Sequence, residues 1–453
     1  MKHIVILGSG FAALTTIRRL RALGVRDAIT VVSPRNELVY LPSLIWLPSG
    51  KRDGDDLRIP LARFFERMGV RWHRGSVQHV LDGGRRVITD HGQVTNDVLV
   101  IATGGRYLRK LPGIEHAIIP CEGIAAAESI RDRLAAMEGG TIAVGFSSNP
   151  KEPGAVRGGP MFEFLFGIDT LLRRQGRRER FELVFFNPAA QPGQRLGPAA
   201  VAKMLARMQA LGIRTHLGHK PLRFEPGRVV SEGGEFAADM ILFMPGLTGP
   251  AWLEGSALPQ SEGGFIAADA HCRVQGMEQV YVAGDAGSYP GPEWMAKQAH
   301  QADLQAGAVA KNIASALRGE PERHGFKTEL VCIVDALDSG SSLPSSQPGP
   351  VRPGMNRIRS ASKPPPSVST RPGVNPSGLW PRWVWMPSAR MRASMLPTAA
   401  GPRRWPGCSE GLKNTSLKRS RRAWRRSRPR SCRRSWPRAG RGSPRPGRCP
   451  RRE

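Results

Sequence analysis

A short apolar run that ends in a glycine motif at the start of the chain constrains the fold more than any other feature. Residues 4–7 form an apolar, β-branched run typical of a buried parallel strand, and Gly8, Gly10 and Ala13 follow in a G-x-G-x-x-A pattern. Gly8 permits a tight turn, Gly10 lets a pyrophosphate approach the backbone, and Ala13 lets the next helix pack closely. A helical pattern up to Gly24 and a second apolar run complete a βαβ unit. The N-terminus of its helix is predicted to face the diphosphate of a dinucleotide.

Two later segments have the same form, a buried apolar strand that ends in small residues. The first ends in Ala102, Thr103 and Gly104, and the second ends in Gly284 and Asp285. They look like the ATG and GD motifs of the two-dinucleotide-binding flavoprotein superfamily. That resemblance implies FAD as the cofactor, and it implies that Asp285 hydrogen-bonds the ribityl chain of FAD.

Two positions depart from a standard dinucleotide fingerprint. Ser33 closes the second strand, where an acidic residue usually holds a ribose. A serine can still hydrogen-bond that sugar, but more weakly. A second βαβ unit begins at residues 141–144, yet it retains only Gly145 of the three glycines, and Pro150 and Pro153 interrupt the expected helix start. The second unit is therefore predicted to keep its shape and to have lost the phosphate site that NADH would need.

These patterns predict an α/β fold with two Rossmann-like domains and parallel sheets. The predicted divisions are the first part of the FAD-binding domain (1–112), a second Rossmann-like domain (113–240), the second part of the FAD-binding domain (241–325), the start of a truncated C-terminal region (326–341) and a basic tail (342–453).

The extreme basic charge of the chain is confined to its tail. The net charge of +30 divides into +25 for residues 341–453 and +5 for the rest. The tail has no Asp, His, Phe or Tyr, but it has 19 of the 39 prolines and 6 of the 10 tryptophans. A natural disordered tail is one interpretation. We favour a reading-frame shift in GC-rich DNA, because the missing residues all need A or T at the second codon position. Nucleic-acid binding through residues 418–434 is an unfavoured alternative.

Several further motifs resemble the sulfide:quinone oxidoreductases and flavocytochrome c sulfide dehydrogenases. The resemblance covers about residues 1–340 and depends on these stretches: Val39-Tyr40-Leu41-Pro42-Ser43 with Trp46, Gly50 and Arg52; Gly159-Pro160-Met161-Phe162-Glu163-Phe164; Pro245-Gly246; and Gly263-Gly264-Phe265-Ile266. It implies that cysteines beside the flavin take electrons from sulfide and pass them through FAD to quinone, with thiolates as the reactive form.

The cysteines match that family only in part. Cys121 fits the family's first cysteine and Cys332 the C-terminal one, but Arg157 stands at the position of the middle cysteine. Either Cys121 pairs with Cys332 in a variant geometry, or the chemistry has diverged. Each thiol can also be a plain apolar core residue. Cys272 is interpreted as structural, because His271 beside it on an extended strand would point to the opposite face.

Three charged residues complete the candidate site. Lys297 and His300 are expected to open the helix after the Gly-Asp motif, where a cation could stabilise a reduced flavin anion. Glu163 could relay protons to a quinone. The alternatives are a solvated helix face for Lys297 and His300, and an interaction with the helix dipole for Glu163. No Cys/His cluster has the spacing of a metal site.

The leading functional hypothesis is an FAD-dependent quinone reductase that oxidises sulfide or a related sulfur compound. The alternatives are a type II NADH:quinone dehydrogenase, a sulfide dehydrogenase flavoprotein subunit and an inactive homologue. The N-terminus lacks the apolar core of roughly 7–15 residues that a secretory signal needs, and no stretch approaches about 20 apolar residues. A cytoplasmic protein with peripheral contact at the inner face of the membrane is therefore expected.

Overall fold

A computed structural model describes residues 1–344, with side chains described up to residue 340. The predicted disordered tail, the proposed frame shift and the basic run 418–434 lie outside the described residues. The described helices of five or more residues with α geometry are α1 to α6: Phe11–Ala22, Ala62–Met68, Ile124–Ala136, Gly159–Arg174, Pro198–Ala210 and Ala299–Leu317.

The predicted α/β architecture is confirmed, because two parallel five-stranded sheets organise the chain. The order in the first sheet is Val280–Val282, Val98–Ile101, His3–Leu7, Ala28–Ser33 and Val70–Arg74. The carboxyl ends of three of these strands carry the three predicted cofactor motifs. Since parallel strands end at the same edge of a sheet, the motifs lie together there.

The second sheet repeats this plan with the central part of the chain. Its order is Ala117–Ile118, Met240–Met244, Gly140–Phe146, Phe181–Asn187 and Arg214–Leu217, again all parallel. The domain boundary predicted between residues 240 and 241 falls inside one of these strands.

Smaller sheets connect and flank the two domains. Two are antiparallel with three strands each: Val77–Leu81, Arg86–Thr89 and Gly92–Thr95; and Pro221–Glu225, Arg228–Ser231 and Gly234–Ala237. Four are two-stranded: Glu37–Val39 with Arg58–Pro60, Arg106–Tyr107 with Leu247–Thr248, Ile266–Ala267 with Gly287–Ser288, and Val331–Asp335 with Gly340–Pro344. The last pair places Cys332 on a short antiparallel strand.

Helix α1 illustrates why the sequence folds in this way. Its apolar positions, among them Ala13, Ile17 and Leu20, are fully buried against the first sheet, and this burial is the main source of the helix's stability. Gly24 ends the region with a left-handed φ of +81°. On its other side α1 contacts α6, where the Thr15 hydroxyl donates to the buried Asp303 carboxylate.

Across the described residues, no helix combines the length and the apolar character that crossing a bilayer requires.

Candidate functional site

The turn after the first strand has the geometry of a phosphate-binding site. Gly8 has φ +103°, and a Cβ there would lie 2.3 Å from the carbonyl oxygen of Ala102. At Gly10 a Cβ would meet no described atom within 4 Å. Gly10 caps α1 with no side-chain hydrogen bond and no acidic residue in the first turn. A helix N-terminus without a side-chain cap and beside open space suits an incoming diphosphate, so these residues fit a dinucleotide.

The other two predicted motifs lie directly beside this turn. The N–H of Ala102 donates to Leu7 O at 2.9 Å, and the Thr103 hydroxyl accepts a hydrogen bond from Trp252 Nε1 at 3.3 Å. Gly104 has φ +74°, a conformation that disfavours other residues. The three strand ends therefore lie at one edge of the first sheet.

Gly284 is the point where α1, α6 and the third motif approach one another. It has φ +79°, and a Cβ there would lie 3.4 Å from the Cβ atoms of both Ala12 and Ala302. Its N–H donates to Gln305 Oε1 at 2.9 Å. This packing fixes the backbone of the next residue, Asp285, at the same edge of the sheet.

Ser33 lies at the end of the second strand as expected, but its hydroxyl already has partners. Its Oγ donates to Arg35 O at 2.9 Å and accepts from Trp72 Nε1 at 3.0 Å, and the residue is 2% exposed. A ribose contact through Ser33 stays a prediction. The neighbouring Glu37 carboxylate accepts from Arg58 at 2.8 Å, and its backbone carbonyl accepts from Ser9.

The loop that would hold a second dinucleotide is fixed to the first domain instead. The buried Asn149 amide donates to the carbonyls of Leu247 and Gly263, both at 2.9 Å. Gly246 touches the loop so closely that a Cβ there would lie 2.2 Å from Asn149 N. Glu152 accepts from Ser261 Oγ at 2.7 Å. The loop that lacks the two glycines and contains the two prolines is thus bound to the first domain and does not form a dinucleotide turn.

Arg157, at the end of this loop, makes a contact that sequence reasoning missed. Its guanidinium forms an ion pair with Asp285 and donates from Nη1 to the Tyr107 hydroxyl at 3.2 Å. Both side chains of the ion pair are largely buried, at 21% and 17% exposed. The substitution at the middle cysteine position was a visible signal, but nothing local in the sequence pairs residues 157 and 285.

Cys121, Glu163 and Cys332 lie in one region of the second domain. Both cysteines are free thiols that pack with the core around α4. Burial, with a smaller contribution from the charge of Glu163, raises the pKa of each thiol to about 12. The positive charge of Arg157 opposes the rise of the Cys121 pKa. Cys332 Sγ lies 3.8 Å from the position that a Cβ on Gly159 would take, at the N-terminus of α4.

The Glu163 carboxyl is held between α4 and the strand that carries Cys332. Its Oε1 accepts from the backbone N–H of Asp335 at 3.2 Å. Burial raises its pKa to about 8, an effect that the Asp335 hydrogen bond partly offsets. A carboxyl with such a pKa can hold and release a proton near neutral pH.

Lys297 lies just before α6 rather than within it, because Gln298 has an extended backbone (φ −149°) and caps the helix. Its Nζ donates to Gly287 O at 2.7 Å, lies 3.6 Å from the Glu152 carboxylate and stands 3.7 Å from the centre of the Phe265 ring. Burial lowers the pKa of Lys297, while Glu152 opposes this shift. His300 lies in α6 and pairs with Glu329 at 3.0 Å.

Cys272 packs in the core around the first sheet, apart from these residues. The extended strand expected there was wrong, because Cys272 has a left-handed φ of +64°. The Asp269 carboxylate causes the turn by accepting from the backbone N–H groups of His271 and Arg273 at 2.8 and 2.9 Å. Across the described residues, no three His, Cys, Asp or Glu side chains gather as metal ligands.

Comparisons with known proteins agree with this geometry. The chain is 23% identical over 354 residues to the sulfide-quinone reductase of Aquifex aeolicus, which covers 74% of this chain and 81% of that protein. It is 22% identical over 363 residues to the type II NADH:quinone oxidoreductase of Staphylococcus saprophyticus, covering 74% and 88%.

The X-ray structure of the sulfide:quinone oxidoreductase from Aquifex aeolicus has the same fold, with a TM-score of 0.68 at 20% identity, over 77% of this chain and 85% of that chain. The family described as pyridine nucleotide-disulphide oxidoreductase matches residues 2–306, well over half of the sequence. With its two parallel sheets and its glycine turn, the chain is an oxidoreductase that belongs to the pyridine nucleotide-disulphide oxidoreductase family.

Proposed function

We propose that this chain binds FAD and passes electrons from sulfide or a related sulfur compound to a quinone. The observation that carries the proposal is the placement of two thiols and a buried carboxyl, Cys121, Cys332 and Glu163, in one region of the domain that has lost its own dinucleotide turn. Sulfur chemistry needs thiols and a proton carrier at the same place.

The residues that would hold FAD are those at the shared edge of the first sheet. The N–H groups around Gly10 would bind the diphosphate, and Asp285 would accept a hydrogen bond from the ribityl chain. FAD would supply a two-electron acceptor that can return its electrons to a quinone. In the protein, Lys297 contributes a buried cation that favours negative charge close to Asp285.

The thiols and Glu163 would carry the sulfur chemistry. A thiolate is the reactive form, and burial disfavours it at both cysteines. Glu163 would take the proton as the thiol reacts and release it later, since its pKa of about 8 permits both states near neutral pH.

The strand that carries Cys332 supports an apolar acceptor. Val331 and Ile333 lie on the face of this strand opposite Cys332 and are 52% and 37% exposed. Exposed apolar side chains of this kind suit contact with an apolar partner. We extend the proposal to peripheral contact with the membrane, where quinones dissolve.

NADH is the competing electron donor, and the loop 147–158 argues against it. That loop is tied by Asn149 and Glu152 to residues 247–263, so the second domain offers no glycine turn for the pyrophosphate of NADH. The similarity to type II NADH:quinone oxidoreductases keeps NADH as the alternative to be tested.

Anaerobic titration of the purified protein separates the two donors. Sulfide is expected to bleach the flavin absorbance and decylubiquinone to restore it, whereas NADH should leave it unchanged. Cys332→Ser should abolish bleaching by sulfide. Cys272→Ser is the control, because Cys272 is a buried thiol in the other domain, and it should leave the bleaching unchanged. Bleaching by NADH, or full activity of Cys332→Ser, would contradict the proposal.

A further inference from the structure

Arg157 is fixed by two different partners, each bound to its own nitrogen of the guanidinium. It ends the loop before α4, where its Nη2 forms an ion pair with Oδ2 of Asp285 from the first domain. Its Nη1 donates to the Tyr107 hydroxyl at 3.2 Å. A planar guanidinium can serve both partners at once, whereas a thiol at this place would have neither the charge nor the second donor. The ion pair is therefore anchored to a group outside it.

The backbone segments around this ion pair are also connected to one another. The N–H of Leu247, the antiparallel partner of Tyr107, donates to Ala155 O of the loop at 2.9 Å. Gly105, which precedes the strand Arg106–Tyr107, lies against Asp285, because a Cβ on this glycine would be 3.3 Å from Asp285 O and 3.7 Å from Asp285 Cβ. The loop, the short strand and the Gly-Asp turn are thus held together before any side chain of the ion pair is considered.

The ion pair leaves one oxygen of the Asp285 carboxylate for a ligand. Oδ2 accepts from Arg157, and among the described residues nothing hydrogen-bonds Oδ1. The side chain is only 17% exposed, and a carboxylate in such a place is costly without a counter-charge. Lys297 is the other buried cation of this region, but its Nζ donates to Gly287 O at 2.7 Å and lies 3.6 Å from the Glu152 carboxylate. The cation that is hydrogen-bonded to Asp285 is Arg157.

We infer that Arg157 is a positioning residue of the FAD site, which holds the Asp285 carboxylate through Oδ2 and leaves Oδ1 for the ribityl chain. The inference rests on the FAD-binding part of the proposed function and is independent of the electron donor. The ion pair also neutralises a carboxylate that would otherwise repel the diphosphate of the cofactor. The arginine at the position where the family resemblance implies a cysteine thereby acquires a role in holding the cofactor.

Equilibrium dialysis of the purified full-length protein against a series of FAD concentrations tests this inference, because bound flavin gives the Kd without any turnover. Arg157→Met is expected to raise the Kd for FAD about tenfold, equivalent to about 1.4 kcal/mol. Arg157→Lys keeps the charge and should stay within about threefold of the native Kd. Arg195→Met is the matched control, because Arg195 is a half-buried arginine that donates to Gly154 O of the same loop. It should change the Kd by less than about twofold.

A double-mutant cycle distinguishes a positioning role from a general loss of structure. Asp285→Asn should raise the Kd about tenfold, and adding Arg157→Met to it should change the Kd by less than about twofold, because Arg157 acts through that carboxylate. Independent effects would instead multiply to about a hundredfold. Tyr107→Phe removes one hydrogen bond of the guanidinium and should raise the Kd about threefold in the native protein, but it should have no effect beside Asp285→Asn.

An unchanged Kd in Arg157→Met, a rise of about a hundredfold in the double variant, or an equal rise in Arg195→Met would overturn the inference. If Arg157→Met does not fold, an unchanged Kd in Tyr107→Phe would overturn it instead. A native protein that binds FAD but does not oxidise sulfide, together with these Kd values, would refute the proposed electron donor and keep the role of Arg157. A native protein that binds no FAD would refute the proposed function and this inference with it.

Discussion

Gly8→Ala and Gly10→Ala differ by two positions in one turn, yet the structure predicts opposite outcomes for them. Gly8 has φ +103°, and its added Cβ would lie 2.3 Å from Ala102 O and 2.9 Å from Ala102 C. Both of these are backbone atoms at the end of a central strand, so no side-chain rotation relieves the overlap. Gly10 has space around its Cβ and no left-handed φ.

The cost of Gly8→Ala can be estimated from these two effects. A left-handed backbone costs an alanine about 1–2 kcal/mol, and overpacking in a rigid core adds about 1–3 kcal/mol. We expect the free energy of unfolding to fall by about 3 kcal/mol. Gly10→Ala should cost about 1 kcal/mol or less, because it only changes the residue that caps α1. Its methyl group would instead occupy the space where a diphosphate approaches the backbone.

Urea denaturation followed by circular dichroism, together with the flavin content of the purified proteins, distinguishes the two variants. Gly8→Ala should lose stability, whether or not flavin is present. Gly10→Ala should stay folded and lose at least about tenfold in FAD affinity, equivalent to 1.4 kcal/mol. A Gly8→Ala protein within 1 kcal/mol of the native stability, or a Gly10→Ala protein that retains full flavin, would refute the geometric argument.

Three further substitutions test the second domain by urea denaturation. Burial raises the Glu163 pKa to about 8, so the folded state keeps a proton that the unfolded chain loses. The stability of the native protein relative to Glu163→Gln should therefore fall by up to about 4 kcal/mol as pH rises from about 5 to 8, and a constant difference would contradict this. Asn149→Ala removes two hydrogen bonds to buried carbonyls and should cost about 2–3 kcal/mol, whereas a loss below about 0.5 kcal/mol would show that the loop is not held there. Asp169→Ala leaves the buried Arg178 without its ion pair at 2.6 Å and should cost about 3–5 kcal/mol, and a neutral effect would mean that Arg178 finds another partner.

The sequence by itself determined the architecture and the place of the cofactor motifs, because both follow from local patterns. An apolar strand that ends in glycine specifies its own turn, and parallel strands bring such turns to one edge. The positions of Gly8, Ala102 and Gly284 at the ends of strands were predictable for this reason. The loss of the second glycine turn was equally visible, since Pro150 and Pro153 exclude the helix start that the turn needs.

Local sequence patterns were less informative where a hydrogen-bond partner determines the availability of a side chain or the conformation of the backbone. The sequence allowed the Ser33 hydroxyl to bind a ribose, but in the structure this hydroxyl already donates a hydrogen bond to Arg35 O and accepts one from Trp72 Nε1. Cys272 was expected on an extended strand, and the Asp269 carboxylate bends that segment into a left-handed turn. In both cases a hydrogen bond from a neighbouring side chain overrides the pattern.

Only the tertiary structure decided which charges meet at the candidate site. Arg157 and Asp285 are 128 residues apart in sequence, and the strand carrying Cys332 reaches Glu163 from a separation of 172 residues, through Asp335. Sequence spacing does not predict such contacts, because they form only when elements that are distant in sequence pack together. Short-range periodicity in the sequence therefore determines the fold class, whereas long-range packing determines which charges lie together at the site.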